Sequence, residues 1–226
     1  MDTKDLLKSI IRGFHTDALP QGIIKRDIDL PINSGAIISV IGSRRAGKTF
    51  LLLATIEQLI AQGTSKEQIV YINFEDERLI DLKASDLDTI LQAYRELYPE
   101  KSLSEAYIFL DEIQNIDGWE KFVRRIHESI TKRVYITGSN SKLLSTEIAT
   151  ALRGRTLSYG VFPLSFLEYL RFRDIPHDKN DLYAPSVHAR IMRGLEEYLL
   201  YGGFPEVITR DRLLKTKTPC KSTLMV

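Results

Sequence analysis

Residues 42–49 read Gly42-Ser-Arg-Arg-Ala-Gly-Lys-Thr49, which matches the pattern G-x-x-x-x-G-K-[ST]. Five of the six residues before this stretch are apolar, and four of these are β-branched, while the residues from 48 to 61 have the periodicity of an amphipathic helix. A strand, a glycine-containing turn and a helix in this order form a loop whose backbone N–H groups and helix N-terminus attract phosphate. This stretch therefore predicts both a parallel α/β sheet and a phosphate site.

The loop assigns a chemical task to several of its residues. Gly42 and Gly47 allow a tight turn, Lys48 is long enough to reach the β- and γ-phosphates, and the Thr49 hydroxyl is a ligand for Mg²⁺. The arginines in the variable part of the loop are expected to face solvent more than substrate. The predicted nucleotide-binding residues are Gly42, Ser43, Arg44, Arg45, Ala46, Gly47, Lys48 and Thr49.

Apolar β-branched runs alternate with helical patterns on both sides of the loop. This alternation predicts a three-layer α/β/α fold with a parallel five-stranded sheet. The predicted strands are 36–41, 69–74, 106–110, 133–137 and 156–161, and the predicted helices are 2–14, 48–61, 87–98, 119–131 and one or two short helices within 141–152. Beyond about residue 162 the chain becomes helical and aromatic, so we expect an N-terminal lead-in (1–20), the nucleotide-binding core (21–161), a helical lid region (162–214) and an atypical tail (215–226).

The second chemical signal is an apolar run that ends in two acids, Tyr107-Ile-Phe-Leu-Asp111-Glu112. Ligands bind at the carboxyl edge of parallel sheets, where such a strand delivers its carboxylates. We expect Asp111 to hold Mg²⁺ and Glu112 to polarise an attacking water. Solvated acids at a strand end are the alternative interpretation of this pair.

Two further segments offer candidate catalytic residues. Ser139 and Asn140 follow the fourth predicted strand and could sense the γ-phosphate, with Thr137 as a third candidate, although a polar turn that caps the next helix fits equally well. Arg153 and Arg155 flank a glycine, and one of them could act as an arginine finger, in cis or from a neighbouring subunit. A pair of surface arginines is the alternative.

Composition excludes collagen, a disulfide scaffold and wholesale disorder. Hydrophobic residues make up 43% and charged residues 27% of the 226 residues, as in an ordinary globular chain, and the net charge of +1 gives no overall attraction to nucleic acid or membrane. The single cysteine, Cys220, cannot form an intramolecular disulfide. No apolar run approaches the roughly 20 residues that span a bilayer. A cytoplasmic location is expected.

Five segments together resemble a family of prokaryotic AAA-type ATPases in the ASCE division of P-loop proteins, over about residues 20–210. They are GSRRAGKT, YIFLDEIQ, ITGSNSKLLSTEIATALRGR, FPLSFLEYL and GGFPEV. The resemblance implies the strand order 5-1-4-3-2, with Ser139 and Asn140 near the γ-phosphate. It also implies ATP as the nucleotide, Asp111 as Mg²⁺ ligand, Glu112 as catalytic base, and Arg153 or Arg155 as a finger.

Members of that family typically continue for more than a hundred residues beyond the GGFPEV turn, into a part that resembles a nuclease. Here the chain stops at Val226, so we expect a premature end, by frameshift, gene decay or the choice of expressed segment. The alternative is a genuine short form with a flexible tail. No nuclease activity is predicted.

The sequence thus predicts an ATPase that hydrolyses MgATP to drive a conformational switch, with possible self-association. One rival is a non-catalytic, nucleotide-gated module that binds DNA or a protein. The other is a small-molecule kinase, which the acidic pair disfavours because a kinase needs no water-activating base.

Overall fold

The computed structural model describes residues 2–138, 152, 154–177 and 184–208. The chain divides into two compact units. The first unit comprises Met1–Arg44 and Lys48–Val161, and the second comprises Arg45–Gly47 and Phe162–Val226. The tail predicted for 215–226 and, apart from Leu152, the short helices predicted for 141–152 lie outside the described residues.

The first unit contains a sheet of parallel strands. The strands within the described part of the chain are β1 (Ile37–Gly42), β2 (Ile69–Asn73), β3 (Tyr107–Asp111), β4 (Val134–Gly138) and β5 (Thr156–Val161). They lie in the order β2-β3-β4-β1-β5, and every neighbouring pair is parallel. The predicted α/β fold and the strand order 5-1-4-3-2 are therefore confirmed.

In the described part of the first unit, one α-helix precedes the strands and three lie between successive strands. They are α1 (Thr3–Thr16), α2 (Lys48–Ala61), α3 (Asp88–Leu97) and α4 (Glu120–Ser129). Each carries apolar residues at helical spacing, which is why each buries one face. Leu7 and Ile11 of α1 are fully buried in the same apolar cluster as Ile90 and Tyr94 of α3. Helix α1 is therefore packed into the core of the unit.

Strands β3 and β4 are buried along their whole length, because they occupy the middle of the sheet. Alternate side chains of each strand point to opposite faces. Ile108 and Leu110 join the large apolar cluster on one face, and Phe109 stacks on Tyr135 with ring centroids 4.5 Å apart on the other. Asp111 shares a face with Phe109 at the carboxyl end of the sheet. The fold thus brings a carboxylate to the edge where ligands of parallel sheets bind.

The second unit contains two further helices, α5 (Phe166–Phe172) and α6 (Pro185–Tyr201). Ser165 and Glu168 cap the start of α5 reciprocally, as in a capping box. The core of the second unit is a small apolar cluster, formed by Leu164, Tyr169, Leu170 and Ile208. The turn after α6 requires glycine at position 203 for a steric reason, because a Cβ there would lie 2.3 Å from the Leu164 carbonyl oxygen.

Candidate active site

The lysine of the phosphate loop is buried at the start of α2. Its ammonium group donates to the Ser43 carbonyl oxygen at 3.1 Å, within the loop itself. The same Nζ atom lies 3.1 Å from Glu112 Oε1, and the two side chains are only 3% and 7% exposed. Buried charges are stable only when paired, so Glu112 balances the charge of Lys48.

The carboxylate of Asp111 is completely buried at the end of β3. The Thr137 hydroxyl donates to its Oδ1 atom at 2.5 Å, and the Tyr71 hydroxyl donates to its Oδ2 atom at 2.9 Å. The Thr49 side chain also lowers the pKa of this carboxyl. Burial raises the pKa of Asp111, whereas these hydroxyl donors pull that pKa down.

Glu112 follows β3 in the left-handed backbone conformation, with φ 53° and ψ 42°. Few non-glycine residues adopt this conformation, which costs about 1–3 kcal/mol and is commonly found at functional sites. The Glu112 N–H donates to Thr137 Oγ1 at 2.7 Å, and Gln114 Nε2 donates to Glu112 Oε2 at 2.6 Å. These bonds hold the strained turn in place, with the Glu112 carboxylate beside Lys48.

The backbone of the phosphate loop also takes the left-handed conformation, at Arg45 (φ 66°) and Gly47 (φ 100°). Gly42 is required for a different reason, because a Cβ there would lie 2.1 Å from the Val161 carbonyl oxygen of β5. The close approach of β1 and β5 therefore excludes any side chain at the first loop position.

The loop arginines extend into solvent and each meets a glutamate. Arg44 is 77% exposed and lies 3.5 Å from Glu75. Arg45 is 67% exposed, and its Nε atom lies 3.0 Å from Glu206, which belongs to the same second unit. Exposed pairs of this kind contribute about 0–1 kcal/mol.

These residues fit a magnesium–nucleotide complex. The Thr49 hydroxyl and the Asp111 carboxylate lie close enough to interact, and oxygen ligands of this type are those that Mg²⁺ takes beside the phosphates of a nucleotide. Lys48 supplies a buried positive charge next to the loop, where a phosphate group would carry the opposite charge. The described residues thus provide ligands for the metal and a partner for the triphosphate.

Of the four other predicted catalytic residues, the structure describes only Arg155, which lies away from this site. Ser139, Asn140 and Arg153 lie outside the described residues. Arg155 precedes β5, and Thr156 pairs with Ile37 at the start of β1, so Arg155 lies at the edge of the sheet opposite the phosphate loop. Its guanidinium is 2.8 Å from Glu128 of α4.

Two residues that touch the site were not predicted from the sequence, Tyr71 and Gln114. Tyr71 lies two residues before the end of β2, and its contact with Asp111 follows from the register of β2 against β3. No motif signals that register. Gln114 follows the acidic pair by two residues, and its spacing alone could have indicated a contact with Glu112.

The comparison with known families decides the assignment of the chain. A sequence profile described as AAA domain matches residues 34–170. The chain belongs to the AAA domain family. It is an AAA-type P-loop protein, a nucleotide-binding module of the ATPase type. Helix α1 precedes the matched residues.

Two curated relatives share this AAA domain. The chain is 38% identical over 211 residues to "Uncharacterized protein MJ1544" of Methanocaldococcus jannaschii, which covers 93% of this chain and 45% of that protein. It is also 38% identical over 174 residues to an "Uncharacterized protein" of Haemophilus influenzae, which covers 77% of this chain and 40% of the relative. The chain therefore spans less than half the length of these relatives.

Among solved structures, that of Caenorhabditis elegans PCH-2 is similar in fold, with a TM-score of 0.55 and 15% sequence identity. The match covers 96% of this chain and 62% of PCH-2. It supports the AAA fold.

Among the described residues, no helix has the length and hydropathy to cross a bilayer.

Proposed function

We propose that this AAA domain binds MgATP at the carboxyl edge of its sheet and hydrolyses the terminal phosphate with Glu112 as general base. The observation that carries the proposal is the convergence of Lys48, Thr49, Asp111 and Glu112 in one group, in which the three charged side chains are buried. When bound, Mg²⁺ would neutralise the charge that develops on the β- and γ-phosphate oxygens.

The protein side chains divide the remaining work. Lys48 would bind the β- and γ-phosphates, while Thr49 and Asp111 would hold the metal. Glu112 would accept a proton from the attacking water, which general bases accelerate by about 10²–10⁴-fold. The pair between Lys48 and Glu112 implies an order of events, because a triphosphate that takes over Lys48 would release the Glu112 carboxylate toward water.

Self-association follows as part of the proposal. Arg155 lies at the edge of the sheet opposite its own phosphate loop, so as a finger it would have to serve a second copy of the chain. Turnover would then rise more steeply than linearly with protein concentration. The released energy would drive a conformational switch, in which we expect residues 162–214 to act as a lid.

The test is phosphate release from MgATP over a range of protein concentrations, for the wild type, Glu112→Gln and Lys48→Ala. We expect turnover in the wild type, binding without turnover in Glu112→Gln, and loss of nucleotide binding in Lys48→Ala. Equal turnover in the wild type and Glu112→Gln would contradict the role of Glu112.

The same assay separates the two alternative functions. Nucleotide binding without turnover in the wild type, together with a change in affinity for DNA or a protein, would indicate a nucleotide-gated module. Transfer of the phosphate to an added small acceptor, with no free phosphate, would indicate a kinase.

A further inference from the structure

We propose that Tyr71 is a positioning residue for the metal ligand Asp111, and that Phe14 of α1 holds Tyr71 in place. The inference rests on the proposed function for its metal. It assigns a role in the nucleotide site to two residues outside the recognised motifs. One of them belongs to a helix that precedes the matched AAA domain.

The first step of the argument is the geometry around the Asp111 carboxylate. Strand β3 lies between β2 and β4, and each neighbour sends one hydroxyl to a different oxygen of Asp111. Thr137 of β4 donates to Oδ1, and Tyr71 of β2 donates to Oδ2. Two donors on opposite sides prevent the carboxylate from rotating. The oxygen lone pairs that they leave then point in one fixed direction.

The second step is the strand register that delivers the Tyr71 hydroxyl. Tyr71 pairs with Phe109, and Asn73 pairs with Asp111, so Tyr71 and Asp111 are diagonal neighbours on one face of the sheet. Diagonal pairs in a sheet lie within reach of an aromatic side chain. The Tyr71 hydroxyl accordingly reaches Asp111 Oδ2, to which it donates at 2.9 Å.

The third step is the contact between Tyr71 and α1. The rings of Phe14 and Tyr71 lie 5.0 Å apart between centroids at an angle of 32°, and the Lys66 ammonium lies 4.9 Å from the centre of the Phe14 ring. Phe14 therefore packs on the tyrosine whose hydroxyl reaches Asp111.

The end of α1 is itself fixed to the sheet. His15 Nε2 lies 2.8 Å from the Ile69 carbonyl oxygen at the start of β2, and its Nδ1 lies 2.7 Å from the Tyr98 hydroxyl. Since a carbonyl only accepts, Nε2 carries the hydrogen of the neutral ring and Nδ1 accepts from Tyr98. Helix α1 is thus attached to the strand that carries Tyr71, one residue away from Phe14.

Partners of this kind orient metal ligands, and removing one typically lowers metal affinity or activity by about 10–100-fold. Tyr71→Phe removes only the hydroxyl and keeps the ring against Phe14. We expect the gain in nucleotide affinity that Mg²⁺ provides to fall by about 10-fold in this variant. Phe14→Leu should give a smaller loss, because it loosens the tyrosine without removing its hydroxyl.

The experiment is equilibrium binding of fluorescently labelled ADP to the full chain, titrated with MgCl₂ and repeated in EDTA. Tyr135→Phe is the matched control, since it removes a hydroxyl that donates to the Pro31 and Ile32 carbonyl oxygens and not to Asp111. We expect Tyr135→Phe to match the wild type. We expect Tyr71→Phe to match it in EDTA and to differ only in Mg²⁺.

Equal losses in Mg²⁺ and in EDTA would show a merely structural role for Tyr71 and overturn the proposal. So would an unchanged Mg²⁺ dependence in Tyr71→Phe. Because the assay measures binding, absence of ATP turnover in the wild type would leave this proposal standing. If the wild type bound ADP with the same affinity in Mg²⁺ and in EDTA, both this proposal and the proposed function would be overturned.

Discussion

The two sides of the nucleotide site are built in different ways. On the side of the phosphate loop, Lys48 and Thr49 are neighbours in sequence, and Lys48 contacts the carbonyl of Ser43, five residues away. On the side of β2, the Tyr71 hydroxyl reaches Asp111 on the neighbouring strand β3, and the two residues are 40 positions apart in sequence. The first side is local, and the second depends on the assembled sheet. Damage to sheet packing should therefore affect the position of the Asp111 carboxylate before it affects the loop.

The largest effect on stability is expected from Gly42→Ala, which tests whether the local side also depends on the sheet. The added methyl group would lie 2.1 Å from the Val161 carbonyl oxygen, so β1 or β5 must shift. Overpacking of this kind costs about 1–3 kcal/mol. We expect the free energy of unfolding, measured with urea, to fall by an amount at the upper end of this range.

Gly13→Ala in α1 is the control for this substitution. No heavy atom lies within 4 Å of the position its Cβ would take, so we expect a gain of about 0.5–1 kcal/mol. A Gly42→Ala protein as stable as the wild type would contradict the steric role of Gly42.

Thr137→Val comes next, because it removes the hydroxyl that connects Glu112 to Asp111. The buried Glu112 N–H would lose its acceptor, which costs about 1–3 kcal/mol. We expect a loss near 2 kcal/mol by urea unfolding and a smaller loss for Thr137→Ser, which keeps the hydroxyl. Equal losses in both variants would show that the methyl group contributes as much as the hydroxyl, and would contradict this prediction.

A smaller effect is expected from the pH dependence of α1 docking. Burial lowers the pKa of His15 below its ordinary value of about 6.5, so the unfolded chain takes up the proton first. The contribution of His15 is complete above that value and is lost as the pH falls through the folded-state pKa. The melting temperature of the wild type should therefore fall more between pH 7 and 5 than that of His15→Gln. Parallel pH profiles would contradict this account.

The smallest effect is expected for Glu96→Gln on the surface between α1 and α3. Hydrogen bonds from Lys4 and Lys8 lower the pKa of Glu96 to about 2, so its contribution is present above about pH 4.3 and is lost as the pH falls toward 2. Because the group is exposed, salt should screen the effect. We expect slightly faster hydrogen exchange in α1 at low salt and none of this difference at 1 M salt.

The sequence predicts the fold and the phosphate-loop side of the site far better than it predicts the side of β2. The loop lies between a β-branched run and an amphipathic helix, so its place at the end of a strand needed no three-dimensional information. The strand order came from the resemblance and is confirmed. Tyr71 could not be predicted, because its contact exists only in the observed register of β2 and β3.

Two other features show the same limit. Gly42 fits the motif, but its steric constraint comes from β5, more than a hundred residues later. The finger role of Arg155 stays a prediction, and only the sheet shows that this side chain lies at the opposite edge from the loop. In each case the missing information is a contact between residues far apart in sequence.

The most direct test of the central claim is the identity of the nucleotide that the protein retains. The wild type and Glu112→Gln would each be incubated with labelled ATP and Mg²⁺, separated from free nucleotide and analysed for ATP and ADP. If Glu112 is the base and Lys48, Thr49 and Asp111 bind the substrate, the wild type should hold ADP and Glu112→Gln should hold ATP. The same ratio of ATP to ADP on both proteins would contradict the account.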